Sequence, residues 1–153
     1  MATLTSLRDE HHVMRHVPPA KLRRDADGLV IGFNFNAFAL RDGERYLSAA
    51  WVEHAATGEK ATDVAATIKA FAAAREVRPS HRYAVGNVGD IRNACRGYKQ
   101  EPRISHEPVD RFDAHASIRQ FNSDNHELLE LLAAEAWAEM AVPEQPVPET
   151  PET

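Results

Sequence analysis

Two stretches of this chain carry apolar residues at helical spacing, and almost everything else is cut into short apolar runs by glycine and proline. In TDVAATIKAFAAAREV, residues Val64, Ile68, Phe71 and Ala72, with Arg75 beyond, form one stripe; Thr62 or Asp63 can cap its start, and Pro79 ends it. In DNHELLELLAAEAWAEM, residues Leu129, Leu132, Ala133, Ala136, Trp137 and Met140 hold one face, Leu128 and Leu131 widen it, and Ser123 or Asp124 caps the start.

The strands are read from alternation. LRDEHHVMRHVPP is extended near His16, because Pro18 and Pro19 favour extended geometry before them. In Leu29 to Phe35, residues Leu29, Ile31, Phe33 and Phe35 alternate with Val30, Gly32 and Asn34, which predicts a strand with one strongly buried face. Asp42-Gly43 between Phe38-Leu40 and Tyr46-Val52 predicts a hairpin. Arg45 to Glu53 then places Leu47, Ala49 and Trp51 on one face and Tyr46, Ser48, Ala50 and Val52 on the other. Arg82 to Val85 is a strand that turns through GNVG into a helix, with Asn87 and Asp90 in a capping relation and Gly97 at its end. Arg103 to His106 is a short strand stopped at Pro108, and His115 falls at the start of a short helix or turn.

The expected fold is α+β, a mixed or largely antiparallel sheet with about three helices packed on one face. One domain spans residues 7–140, between a frayed N-terminus at 1–6 and a disordered tail at 141–153 rich in Pro and Glu. At 153 residues the chain is long enough for a real core. Its net charge of −5 argues against a nucleic-acid partner held by a dominant basic field, while a local basic patch stays open. Cys95 is the only cysteine, which excludes an internal disulfide and a multi-cysteine zinc site. With no leader-like start and no apolar run of bilayer length, the expected setting is cytoplasmic and off the membrane.

Histidine recurs beside arginine or glutamate: Arg15 and His16, Glu53 and His54, His106 and Glu107, then His115. Histidine transfers protons near neutrality and the guanidinium fork matches phosphate oxygens, so Arg15, His16, His106, Glu107 and His115 are the candidate catalytic residues. The densest stretch is ISHEPVDRFDAHASI, where His106, Asp110, Asp113 and His115 also have the ligand types, though no established spacing, for a divalent metal. His12 and His16 make a second, weaker metal pair. GNVG offers the outline of a phosphate turn but lacks the fuller nucleotide-binding pattern and its lysine. Nothing in the sequence specifies a cofactor. The order Arg15, Ser48, Glu107 looks like the order of Arg, Ser and Glu in some ADP-ribosyltransferase-like folds.

MRHVPPAKLRRDADGLVIGF, YLSAAWVEH, YAVGNVGDIRNACR, and ISHEP with AHASI resemble a group of small bacterial proteins with no assigned function. The similarity runs over most of Leu7 to Trp137 and implies a bacterial, cytoplasmic setting. Two functions follow as expectations. One is an enzyme acting on a small phosphate-containing or nucleotide-like ligand through histidine and arginine. The other is a non-catalytic protein that binds a protein partner, as a regulatory or immunity-type protein does, through an aromatic face at Trp51 or Tyr46.

Overall fold

The structure, a computed structural model, describes residues 4–143. Its sheet strands are β1 (Thr5–Ser6), β2 (His12–Val17), β5 (Leu47–Trp51), β6 (Arg82–Asn87), β7 (Arg103–His106), β8 (His115–Arg119) and β9 (Glu139–Ala141); β3 (Leu22–Arg24) and β4 (Val30–Phe33) form a separate two-stranded ribbon. The helices are α1 (Lys60–Ala74), α2 (Val88–Arg96) and α3 (His126–Leu131). The large sheet runs β1-β7-β8-β5-β2-β6-β9, and every pairing in it is antiparallel. The protein is therefore an α+β fold, as the mixture of periodicities predicts.

Alternation along the central strands divides the core in two. Val13 and Val17 of β2, Leu47 and Ala49 of β5, and Ala116 and Ile118 of β8 face a cluster closed by Ile91 and Cys95 of α2 and Leu128 and Leu129 of α3. Met14, Ala50, Tyr83 and Val85 face the other way, onto Ile68 of α1 with Val64 and Phe71 beside it. The helices thus divide between the two faces, α2 and α3 on one and α1 on the other, rather than sharing one. A sheet whose central strands are apolar on both sides needs two covers.

Several local expectations give way to tertiary contacts. Phe35–Phe38 is a 3-10 turn instead of the first arm of a hairpin, because Phe38 is needed in the core, stacked on Trp137 at 5.1 Å. β5 pairs with β8 and β2 instead. On β4 only Phe33 is buried, with Val30 part-buried against the same core, while Leu29 and Ile31 stay 65 % and 55 % exposed. Glu59 holds the N-cap position of α1 without a side-chain capping bond, and Asp63, buried one turn in, accepts hydrogen bonds from the Thr57 amide and hydroxyl. Gly97 ends α2 with φ −62°, so no left-handed cap forms there.

The last helix is shorter than its apolar stripe. α3 stops at Leu131, the next turn widens to a π-turn over Leu132–Ala136, and Met140 enters β9, where it pairs with Ala84 of β6. Covering the edge of β6 outweighs continuing the helix. His115 opens β8 rather than a helix, opposite Ala50 of β5. At the N-terminus Thr5 and Ser6 already pair with β7, and Ala141, expected in the tail, belongs to β9; residues 1–3 and the tail from 144 onward lie outside the described residues. Among the described residues no helix is long and apolar enough to cross a membrane.

The GNVG turn is a packing device. Asn87 accepts from the Asp90 amide at 2.9 Å, as the capping pattern predicts. The Val88 and Gly89 amides donate to the carbonyls of His11 and Asp9, so they are already satisfied within the protein. Gly86 lies against the Ala136 carbonyl, where an added Cβ would come to 2.9 Å. Gly86→Ala is expected to lower unfolding stability by about 1–3 kcal/mol through overpacking, read as a reduced urea midpoint at unchanged slope. An unchanged midpoint would show that this contact relaxes freely.

Candidate functional site

The site begins where the sheet splits. β2 and β5 pair at Val13 with Trp51 and at Met14 with Ala50, and no further; β2 continues along β6 alone and β5 along β8 alone. The half-buried Arg15 guanidinium bridges the gap, Nη1 donating to the Ser48 carbonyl at 2.7 Å and Nε to the Ala37 carbonyl at 2.8 Å. Burial lowers Arg15 to about 10, which leaves it charged at neutral pH.

A cleft of about 970 Å³ opens from this wedge. β2 contributes Met14, Arg15 and His16, and β5 contributes Ser48, Ala49 and Ala50. The segment between the ribbon and β5 brings Arg41, Glu44, Arg45 and Tyr46, the end of α1 brings Phe71 and Arg75, and the loop before β8 brings Asp110, Arg111 and Phe112. Lys21, His115 and Arg119 complete the wall. Seven Lys and Arg side chains thus face one cleft with two carboxylates, Glu44 and Asp110, among them. Glu44 pairs with Arg41, while Arg45, Arg75 and Lys21 have no carboxylate partner among the described residues. The cleft is therefore strongly positive in a protein of net charge −5.

Two histidines lie in this field. His16 Nε2 is 2.6 Å from His81 Nδ1, and desolvation, then the charges of His81, Arg15 and Arg75, lowers His16 to about 4. His115, 6 % exposed, is also held below the usual imidazole range; desolvation is the main cause, opposed by its contact with Glu107 and reinforced by Arg75 and Arg119. Its Nδ1 lies 2.8 Å from the Glu107 carbonyl, which can only accept, so Nδ1 carries the proton. Nε2 is then a free acceptor, and the Ser48 hydroxyl donates to it at 2.7 Å.

Of the candidates, Arg15, His16 and His115 come together on this cleft. Glu107 stands one layer back: Arg119 donates to both carboxylate oxygens, at 3.0 and 2.8 Å, and lies over the Tyr46 ring at 4.3 Å. Burial raises the Glu107 carboxyl, but Arg119 outweighs it and holds the group below the usual carboxylate range. His106 points elsewhere, with Nε2 donating to the Asp113 carbonyl at 2.7 Å and the ring beside Trp51 and His54. Arg15 and Ser48 meet, but through the Ser48 backbone, and the Glu107 carboxylate does not line the cleft. His12 pairs with Glu53 instead of His16. Among the described residues no group of three or more His, Cys, Asp or Glu side chains is placed to hold a metal ion.

Sequence reasoning reached Ser48 only through its place in the order Arg15, Ser48, Glu107, and gave no catalytic weight to Arg41, Arg45, Arg75 or Arg119. The one available signal was the arginine-rich composition. The Ser48–His115 contact depends on the β5–β8 register, which places Ala50 opposite His115 and Ser48 opposite Ser117.

The His16 environment implies a pH dependence. Between about pH 6.5 and pH 4 the unfolded chain takes up a proton that folded His16 refuses, so stability falls as pH drops through that window; His115 adds in the same sense. Denaturant midpoints at pH 7 and pH 5 should differ less in His16→Gln than in wild type, and equal differences would place the dependence on other groups. Comparison of the chain with protein-family models, curated proteins and solved structures finds no match.

Proposed function

We propose that the protein is a small cytosolic enzyme whose cleft takes a phosphate-containing or nucleotide-like substrate, with arginines as the anion clamp and histidines as the proton-transfer groups. The observation that carries this reading is the convergence of seven Lys and Arg side chains on one cleft of an acidic protein. Concentrating like charge costs stability through self-repulsion, and an anionic ligand relieves it. Guanidinium forks suit phosphate oxygens, and Tyr46 and Phe71 supply aromatic edges for the less polar part of a substrate. Neutral His16 and His115 in the same cleft supply proton acceptors near pH 7.

A second reading, a non-catalytic partner of another bacterial protein, is favoured by Leu29 and Ile31, two residues apart and both exposed beside a ribbon edge. Calorimetric titration with pyrophosphate and with ADP separates the two. Binding that weakens with added salt is expected, and Arg45→Ala and Arg75→Ala should each lower affinity about tenfold, the scale of one charge-assisted hydrogen bond. No heat and no competition by either anion would remove the phosphate reading and leave the partner reading standing.

A further inference from the structure

We infer that Ser48 and His115 form a nucleophile and base pair for acyl-ester hydrolysis, with the Glu107 carbonyl as the positioning group. The inference rests on the cleft being the substrate site, and it names the reaction performed there. Three features coincide. The Ser48 hydroxyl lies 2.7 Å from His115 Nε2 and lines the cleft. The Glu107 carbonyl, 2.8 Å from Nδ1, fixes the tautomer in which Nε2 accepts a proton. The ring itself is buried on β8, two residues from where β5 and β8 register Ser48 opposite Ser117, so the pair is held by two strands rather than by a loop. Nucleophile, base and orienter are the parts an activated serine requires.

The geometry selects the reaction class. In-line phosphoryl transfer puts the leaving group opposite the attacking oxygen, beyond the reach of the histidine that deprotonated it. At an acyl carbon both groups sit on one tetrahedral centre, and a single imidazole serves each in turn. Ser48 Oγ attacks the carbonyl carbon while its proton passes to His115 Nε2. The C–O bond of the ester then breaks, and the departing alkoxide takes that proton. Water, deprotonated by the same Nε2, cleaves the acyl-serine, returning the proton to Ser48 Oγ and releasing the carboxylic acid. The substrate class is thus a carboxylic ester of a small molecule whose anionic part rests on the arginines.

A fluorophosphonate probe tests the pair, because attack by Ser48 forms a P–O bond and expels fluoride. The full chain is expected to label stoichiometrically at Ser48 by peptide mass spectrometry, at a rate that rises through a midpoint below pH 6.5. Ser48→Ala should not label, and His115→Gln should label at least 100-fold more slowly, with both variants checked by thermal melting. p-Nitrophenyl acetate should show the same dependence and leave an acetyl group on Ser48. Should His115→Gln fail to fold, the wild-type pH profile and the labelled position still decide. Labelling elsewhere, no labelling, or an equal rate in folded His115→Gln overturns the pair. Pyrophosphate binding without Ser48 reactivity would overturn the serine chemistry alone, whereas Ser48 reactivity without pyrophosphate binding would support it and remove only the phosphate clamp.

Discussion

The architecture turns on one half-buried cation. Where β2 and β5 part after two residue pairs, the ladder loses hydrogen bonds that a continuous sheet would make, and the Arg15 guanidinium takes the carbonyls of Ser48 and Ala37 in their place. An arginine suits this position because its planar fork reaches two acceptors at once and keeps its charge after partial desolvation. The charge satisfies the backbone and adds to the positive field of the cleft.

Burial, reinforced by that field, sets the properties of both histidines. Imidazoles among cations and packed against aromatic side chains resist protonation, so His16 and His115 are proton acceptors at neutral pH rather than cations. Desolvation keeps the bases neutral and the neighbouring cations add to it. The cleft is positive without depending on its histidines, and a group needed to accept a proton stays free to do so.

The fold was legible in the sequence where local patterns agreed with tertiary demands. The Val64, Ile68 and Phe71 part of the α1 stripe, though not Ala72, turned to the core, and the Asn87 cap of α2 and the short β7 strand before Pro108 formed, because each buries or terminates as its own residues require. Expectations failed where a residue was needed elsewhere. Phe38 left a predicted hairpin to stack on Trp137, and Met140 left a helical stripe to cover the β6 edge. Of the candidate site, Arg15, His16 and His115 were nameable as chemistry-bearing types. His106, equally promising by type, faces the opposite side of the sheet from its neighbours Ser105 and Glu107, a matter of strand parity.

By itself the sequence determined the α+β class, the single cysteine with its exclusions, and an arginine-rich stock of side chains, since periodicity and composition are local properties. The tertiary structure alone decided which of those side chains meet. Ser48 and His115 are 67 residues apart and touch only because β5 and β8 pair in one register, and the cleft exists only because β2 and β5 separate. Register and strand divergence are settled by long-range pairing and core packing, which no stretch of the chain encodes alone.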